Sequence, residues 1–413
     1  MEQMEQNNKK NGYWSGLISG LLLAILLFGC VYIGNQVYRI FEAKKIAESS
    51  QAEDAELLNE YTAAKVEVIE DTIYQYFLEE TNRGDLENGI YTGMLEALED
   101  PYSEYYSAEE LKELQMSTEG IYYGIGAYIS KDVTDEFCII SGVIEDTPAQ
   151  EADLRAGDII YEVDGILTQG METTEVVSLI KGEEGTQVIL TLVREGEEDY
   201  LKIPVERRKI ESPTVSHEML ENGIGYIEIT EFDEVTEDQF AEALAECKGN
   251  GMKALILDLR SNPGGNLSTV CEISRMLLPK GMIVYTEDKY GKRDEYTCDG
   301  LRQLQVPAVV LVNGYSASAS EILAGAMKDH GIATIMGTTT FGKGIVQRVI
   351  SLSDGSAVKL TVSKYYTPNG NDIHEKGIEP DIEVEFDADA YYDEGIDNQL
   401  QEAISFVKEK IAE

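Results

Sequence analysis

Four consecutive apolar β-formers, Val309-Val310-Leu311-Val312, run into Asn313-Gly-Tyr-Ser-Ala-Ser-Ala-Ser-Glu321 and then Ile322-Leu-Ala-Gly-Ala-Met327. The first four read as a buried strand, and the stretch after Glu321 reads as a helix. A strand that turns into a helix so abruptly leaves its polar residues at the helix N-terminus. Free amides and the helix dipole favour an anion or oxyanion there. Helices are often capped by serine, but one cap explains one serine. It does not explain Ser316, Ser318 and Ser320 together. Around this unit, from residue 208 on, β-rich runs (224–232, 254–259, 283–286, 308–313, 358–366) alternate with helical stretches (237–247, 268–278, 318–330). That alternation predicts an α/β domain with its polar, glycine-rich motifs at strand ends. An amphipathic helix at 396–412 closes the chain.

A second motif follows, Phe341-Gly-Lys343-Gly-Ile-Val-Gln347. A serine hydroxyl barely ionises at neutral pH and attacks only when a neighbour takes its proton. A lysine does this if burial removes its charge, which takes about 4–5 kcal/mol to bring a pKa from about 10.4 to about 7. A third motif, Asp258-Leu-Arg-Ser-Asn-Pro-Gly264-Gly265-Asn266, carries a strand into a glycine pair. Backbone amides in such a turn suit the oxyanion of a tetrahedral acyl intermediate. A triad of the chymotrypsin kind needs a histidine, and the chain has only His217, His330 and His374. His330 lies about three helical turns from Ser318, beyond reach as its base. No His-Glu-x-x-His site occurs, and neither a metal nor a cofactor is expected.

At 413 residues the chain has room for several cores. Its net charge of −44 excludes a nucleic-acid binder, which needs basic stripes. Residues 11–38 carry no charged side chain, with Tyr13 and Trp14 at one edge of the run and Tyr38 at the other. This predicts a single membrane span. A cleaved signal peptide is the competing reading. Leu27-Phe-Gly-Cys30 faintly resembles a lipoprotein cleavage box, although Phe28 and the apolar continuation argue against lipidation of Cys30. Lysines and arginines on both sides of the run give no vote on orientation. Cys138, Cys247, Cys271 and Cys298 form no close pairs, so neither a zinc knuckle nor a redox motif is present.

The expected organisation is 1–38, cytoplasmic tail and transmembrane anchor; 39–115, a juxtamembrane and helical region; 116–207, a β-rich domain; and 208–413, the α/β core with its terminal helix. In the second part, Asn82-Arg-Gly84 is read as the break between two helices and Asp100-Pro101 as the end of the second. In the third, β-runs at 137–140, 158–163, 187–193 and 201–205 frame helices near 149–154 and 175–181. With Gly124-Ile-Gly126 early and Thr147-Pro-Ala later, this order resembles a PDZ domain of the circularly permuted bacterial kind. PDZ domains take up a C-terminus as an added strand and hold its carboxylate on a glycine loop. That resemblance assigns Tyr123, Gly124, Ile125 and Gly126 to substrate binding.

Together the motifs resemble the C-terminal processing peptidases, also called tail-specific proteases, from about residue 65 to the C-terminus. The landmarks are Gly93-Met-Leu-Glu-Ala-Leu-Glu-Asp100-Pro-Tyr-Ser103, Gly124-Ile-Gly126, Gly225-Tyr-Ile-Glu-Ile-Thr230, Leu257-Asp-Leu-Arg-Ser-Asn-Pro-Gly-Gly265, Ser316-Ala-Ser-Ala-Ser-Glu321, Gly342-Lys343-Gly and Tyr366-Thr-Pro368 with Gly377-Ile-Glu-Pro-Asp381. The resemblance implies an α+β multidomain protein whose core has the Clp protease/crotonase-like fold. It makes Ser318 the nucleophile, Lys343 the general base and Gln347 the residue that orients the lysine. It also makes Gly264 or Gly265, with Ala319, the oxyanion donors. It further implies a PDZ domain acting as a substrate-responsive lid. Where this family commonly has Arg before Gly in the second PDZ helix, this chain has Lys181-Gly182. The implied protein is a membrane-anchored serine endopeptidase, extracytoplasmic in its catalytic part, acting on protein or peptide substrates with accessible C-termini. Its oligomeric state is left open. The alternative is a catalytically inactive PDZ scaffold that binds partner C-termini at the membrane.

Overall fold

The structure, a computed structural model, describes residues 56–131 and 136–412. The expected anchor at 11–38 lies outside the described residues. Among the described residues no helix is long and apolar enough to cross a membrane. The chain separates into two units, residues 1–89 and 90–413.

Helix α1 (Glu60–Tyr76) begins at Asn59, whose side chain accepts from the amides of Tyr61 and Thr62. None of its residues is buried. Helix α2 (Arg83–Glu96) follows, with Gly84 inside it. The break between the two helices is therefore at 77–82, just ahead of the expected Asn82-Arg-Gly84. The sequence reading also stopped one helix short. After β1 (Glu104–Tyr106) comes α3 (Ala108–Glu119), opened by a reciprocal Ser107/Glu110 capping box and closed by Gly120 in the left-handed conformation.

The next stretch holds β2 (Ile121–Gly124), β3 (Ala127–Lys131), β4 (Cys138–Val143), α4 (Pro148–Glu151), β5 (Ile159–Val163), β6 (Ile166–Leu167), α5 (Thr173–Ile180), β7 (Gln187–Val193) and β8 (Leu201–Glu206). Strands β3-β4-β5-β7-β8 form one antiparallel sheet, with β6 added to β5. Its buried residues Val188, Leu190, Leu192, Ile140 and Ile160 pack with Val176 and Ile180 of α5 into a separate core. Strand β9 (Arg208–Glu211) pairs antiparallel with β2, so entry to and exit from this domain form a two-stranded ribbon. Strand β3 is an edge strand, the position at which an added peptide strand is accommodated.

The remaining elements are β10 (Val215–Leu220), β11 (Ile224–Ile229), α6 (Thr236–Gly249), β12 (Ala254–Asp258), α7 (Leu267–Arg275), β13 (Gly281–Asp288), β14 (Arg293–Cys298), β15 (Ala308–Val312), α8 (Ala319–Asp329), β16 (Thr334–Gly337), β17 (Ile345–Ser351), β18 (Ala357–Tyr366), β19 (Ile382–Glu383), α9 (Ala388–Glu394) and α10 (Asn398–Ala412). One sheet runs β10-β11-β12-β15-β16-β19, parallel from β11 to β19. Residues of α6, α7 and α8 cover one face, and Ala403 and Val407 of α10 cover the other. Covered on both sides, β12 and β15 are buried at every residue, which explains their unbroken apolar runs. A second sheet, β1-β18-β13-β14 with β17 on β18, lies beside it. The two loops that carry the serines and the glycine pair leave the carboxyl ends of neighbouring parallel strands, β15 and β12. Ligand sites of open α/β sheets commonly form at such ends. The cysteines at 138, 247, 271 and 298 are buried free thiols.

Candidate active site

The loop after β15 is bonded to the loop after β12 over its whole length. Ser316 Oγ donates to the Leu259 carbonyl (2.8 Å), and Ser320 Oγ to the Asn262 carbonyl (3.0 Å). The Ala317 amide donates to that same Asn262 carbonyl (3.0 Å), and the Ser261 amide to Asn313 Oδ1 (2.9 Å). Ser316 and Ser320 are buried and spent on these bonds, whereas Ser318 is part-exposed and lines a cavity of about 510 Å³. Its backbone sits at φ 53°, ψ −112°, an uncommon conformation for a non-glycine residue. Such strain persists only where the surroundings over-determine it.

Three groups impose it. The Ser318 amide donates to Glu321 Oε2 (2.8 Å), and the Ser318 carbonyl accepts from the Tyr365 hydroxyl (3.0 Å). Gly264 packs directly beneath. A Cβ there would lie 2.7 Å from both the Ala317 oxygen and Ser318 Cβ and 2.9 Å from the Ala319 nitrogen, so only glycine permits the approach.

The same Glu321 reaches the second motif. Fully buried, its carboxylate also accepts from Thr340 Oγ1 (2.7 Å) and from the amides of Gly342 (2.7 Å) and Lys343 (2.9 Å). Four donors satisfy an ionised carboxylate. Tyr365 repeats the link, its hydroxyl also lying 2.5 Å from the Lys343 carbonyl. The serine turn and the lysine loop are thus joined by two side chains, neither of which was given a role from the sequence. Ser318 and Glu321 have the Ser-x-x-Glu spacing of a capping box, a signal in the sequence that marks Glu321. Tyr365 had none.

Lys343 is half-buried, and its ammonium lies 4.4 Å from the centroid of the Tyr102 ring. Burial first, and then the like charge of Lys359, holds its pKa below the ordinary lysine value; Glu104, Asp100 and Glu321 oppose this. Tyr102 is brought there by residues 100–106. Ser103 Oγ donates to Asp100 Oδ2 (2.6 Å) and accepts from the Thr361 amide (3.1 Å). Lys359 Nζ meets Glu104 Oε2 (2.6 Å) and the Tyr106 hydroxyl (2.7 Å). Gln347, on β17, donates from Nε2 to Thr361 Oγ1 (3.2 Å), and no hydrogen bond joins it to Lys343. The orienting contact expected of Gln347 is therefore not made in this conformation.

Of the three expected oxyanion amides, that of Gly264 is committed to Asn262 Oδ1 (2.8 Å). Gly265 lies between two bonds to Phe232, formed by the Gly264 carbonyl and the Asn266 amide, and its own amide takes part in neither. Ala319, the first residue of α8, likewise has an amide outside the helix ladder. Gly265, Ala319 and Ser318 all line the same cavity.

In the β-rich domain, Tyr123 and Gly124 end β2, Ile125 is buried, and Gly126 has φ 83° against Thr147. The Ile125 carbonyl accepts from the Ala149 amide (2.7 Å), and the Gly126 carbonyl from the Ile144 amide (3.0 Å). This loop leads into the edge strand β3, against which α5 packs.

Comparison with known proteins agrees with this architecture. The family model for peptidase family S41 matches residues 223–384, that for the PDZ domain residues 139–194, and that for the activating protease CtpB N-terminal domain residues 24–110. The carboxy-terminal processing protease CtpA of Bacillus subtilis is 37% identical over 77% of this chain and 70% of its own length. CtpB of the same organism is 34% identical over 87% and 75%. A carboxyl-terminal-processing protease of Synechocystis is 36% identical over 71% and 69%. The chain belongs to the carboxy-terminal processing proteases, the PDZ-containing serine-type peptidases of family S41.

Proposed function

We propose that the protein is a membrane-anchored endopeptidase that takes up the C-terminal tail of a protein substrate on its PDZ domain and cleaves nearby by a serine–lysine mechanism. The observation that carries this reading is Glu321, one buried carboxylate bonded to the amides of both Ser318 and Lys343. Neutral Lys343 leaves the Tyr102 ring and takes the Ser318 proton, and Oγ adds to the scissile carbonyl. The amides of Gly265 and Ala319 receive the oxyanion. Lys343 then returns the proton to the leaving amine, and water, deprotonated in turn by Lys343, releases the acyl group. Gln347 orients the lysine once the tail is bound.

The uncharged stretch 11–38 supports the anchor. The edge strand β3 beside α5, preceded by the Tyr123–Gly126 loop, supports tail binding. The test is proteolysis of an unfolded protein by full-length enzyme and by Ser318→Ala and Lys343→Ala. Both variants are expected to lose activity by roughly 10⁴-fold or more with the fold intact. Retained cleavage by either one overturns the mechanism. The anchor is tested separately, by whether the protein stays with membranes after a high-salt wash.

A further inference from the structure

Asp233 is a buried acid without a partner. It is 7% exposed, and among the described residues neither an ion pair nor a hydrogen bond reaches its carboxylate. Its backbone amide alone is engaged, donating to Thr236 Oγ1 (2.9 Å). Everything nearby disfavours its charge. Burial and the neighbouring Glu231 push its pKa up to about 7. The side chain also lies against Gly120, the C-terminal cap of α3, where the helix dipole is negative. Lys112 and Lys181 line an adjoining cavity that Asp233 also borders, yet neither pairs with it; Lys181 lies over the Tyr122 ring instead. Asp233 borders both this cavity and the one that Ser318 lines, which leaves its carboxylate oxygens open to accept from an incoming donor.

Asp233 and Glu231 line the same cavity as Ser318. Leu114, Leu267, Ile322, Ile345 and Val349 are among the other walls of that cavity, and its one lysine, Lys359, is already paired with Glu104. A cavity with apolar walls that also carries two carboxylates fits a side chain with a hydrocarbon stem and a cationic head. The register places it close to the chemistry. Asp233 directly follows Phe232, which is bonded on either side of Gly265. The net charge of −44 draws basic segments toward the molecule.

We infer that this cavity is a specificity subsite for a lysine or arginine of the substrate, within a residue or two of the scissile bond, with Asp233 as the acceptor and Glu231 reinforcing it. The inference rests on the peptidase reading above and names the side chain that the site selects.

The test uses full-length enzyme and peptide pairs differing only by arginine against its neutral isostere citrulline, scanned through the positions flanking the cleaved bond. At one position kcat/KM is expected to favour arginine by roughly 10- to 100-fold, the range of a hydrogen bond to a charged group. Asp233→Asn should bring that ratio close to one, and Glu231→Gln should lower it severalfold. A ratio near one at every position in the wild type overturns the inference while leaving the peptidase reading intact. So does a ratio that survives in Asp233→Asn. Binding of the same labelled peptides to Ser318→Ala protein reads the preference without cleavage. Equal affinity for both members of every pair overturns the subsite even if no peptide is turned over.

Discussion

The two halves of the catalytic site are held in different ways. On the serine side, backbone and side chain are bonded at almost every atom: Ser316, Ala317 and Ser320 to the β12 loop, and Ser318 to Glu321 and Tyr365. On the lysine side the backbone is equally fixed, through Glu321 and Tyr365, but the ammonium rests only against an aromatic ring. A nucleophile must be aimed, and aiming is done by the main chain. A base must lose its charge and then reach its target, which calls for desolvation and freedom at the tip. Under the proposed mechanism, this difference makes the strained Ser318 the rigid reference of the site and Lys343 its movable part.

The sharpest way to break this contrast is to cut what both halves share. Glu321→Gln replaces an acceptor of four donors by a group that presents two donors of its own. The expected outcome is a loss of roughly 10³-fold in kcat and about 3 kcal/mol of stability, read by steady-state kinetics and chemical denaturation. An unchanged kcat would mean that the two loops are aligned independently. Gly264→Ala should damage the serine side alone. The new methyl collides with Ser318 and Ala319, so kcat should fall roughly 10²-fold, with a smaller change in the affinity of tail peptides measured by titration.

Lys359→Met should act on the lysine side alone, and more gently. In the proposed mechanism Lys343 works when neutral, and the charge of Lys359 helps to hold its pKa down. Removing that charge, and freeing Glu104 to face Lys343, raises the Lys343 pKa. The acid limb of kcat/KM then moves to higher pH, so that the rate on that limb falls severalfold while the alkaline plateau is little altered. A shift to lower pH, or a uniform fall at all pH values, would show that Lys359 matters for packing and not for charge.

Much of the fold was legible because it rests on local patterns. Residues 187–193 form a strand with the expected limits, and the helices expected at 237–247 and 318–330 fall within a few residues of α6 and α8. The elements missed were those with a weak local signature. Strand β17 (Ile345–Ser351) is largely exposed in its second half, and β1 is three residues long and exists through its pairing with β18. Helix α3 lies mostly inside the expected helical region 39–115, but only two helices were expected there, the second ending at Asp100-Pro101, although Ser107-Ala-Glu-Glu110 carries a capping box. The site followed the same rule. Ser318, Lys343 and the glycine pair stood out by their motifs. Glu321 and Tyr102 stood within motifs but without a role, and Tyr365 stood in none, since an aromatic residue carries no mark of what it will face.

Read alone, the sequence determined the classes of thing this protein is: an α/β core with a buried strand at 309–312, a set of motifs that suits acyl transfer without a histidine, and a glycine-loop domain ahead of it. Those depend on neighbours a few residues apart, where periodicity and steric limits act directly. Tertiary structure alone decided which of three serines is open to a substrate and which of two glycine amides is uncommitted. It also set Tyr102 over Lys343 from more than 200 residues away and left Asp233, its carboxylate without an ion pair or hydrogen bond among the described residues, on the wall of the cavity that Ser318 lines. These are properties of contact and burial. They arise from the sum of many weak long-range interactions, and no single stretch of the chain encodes them.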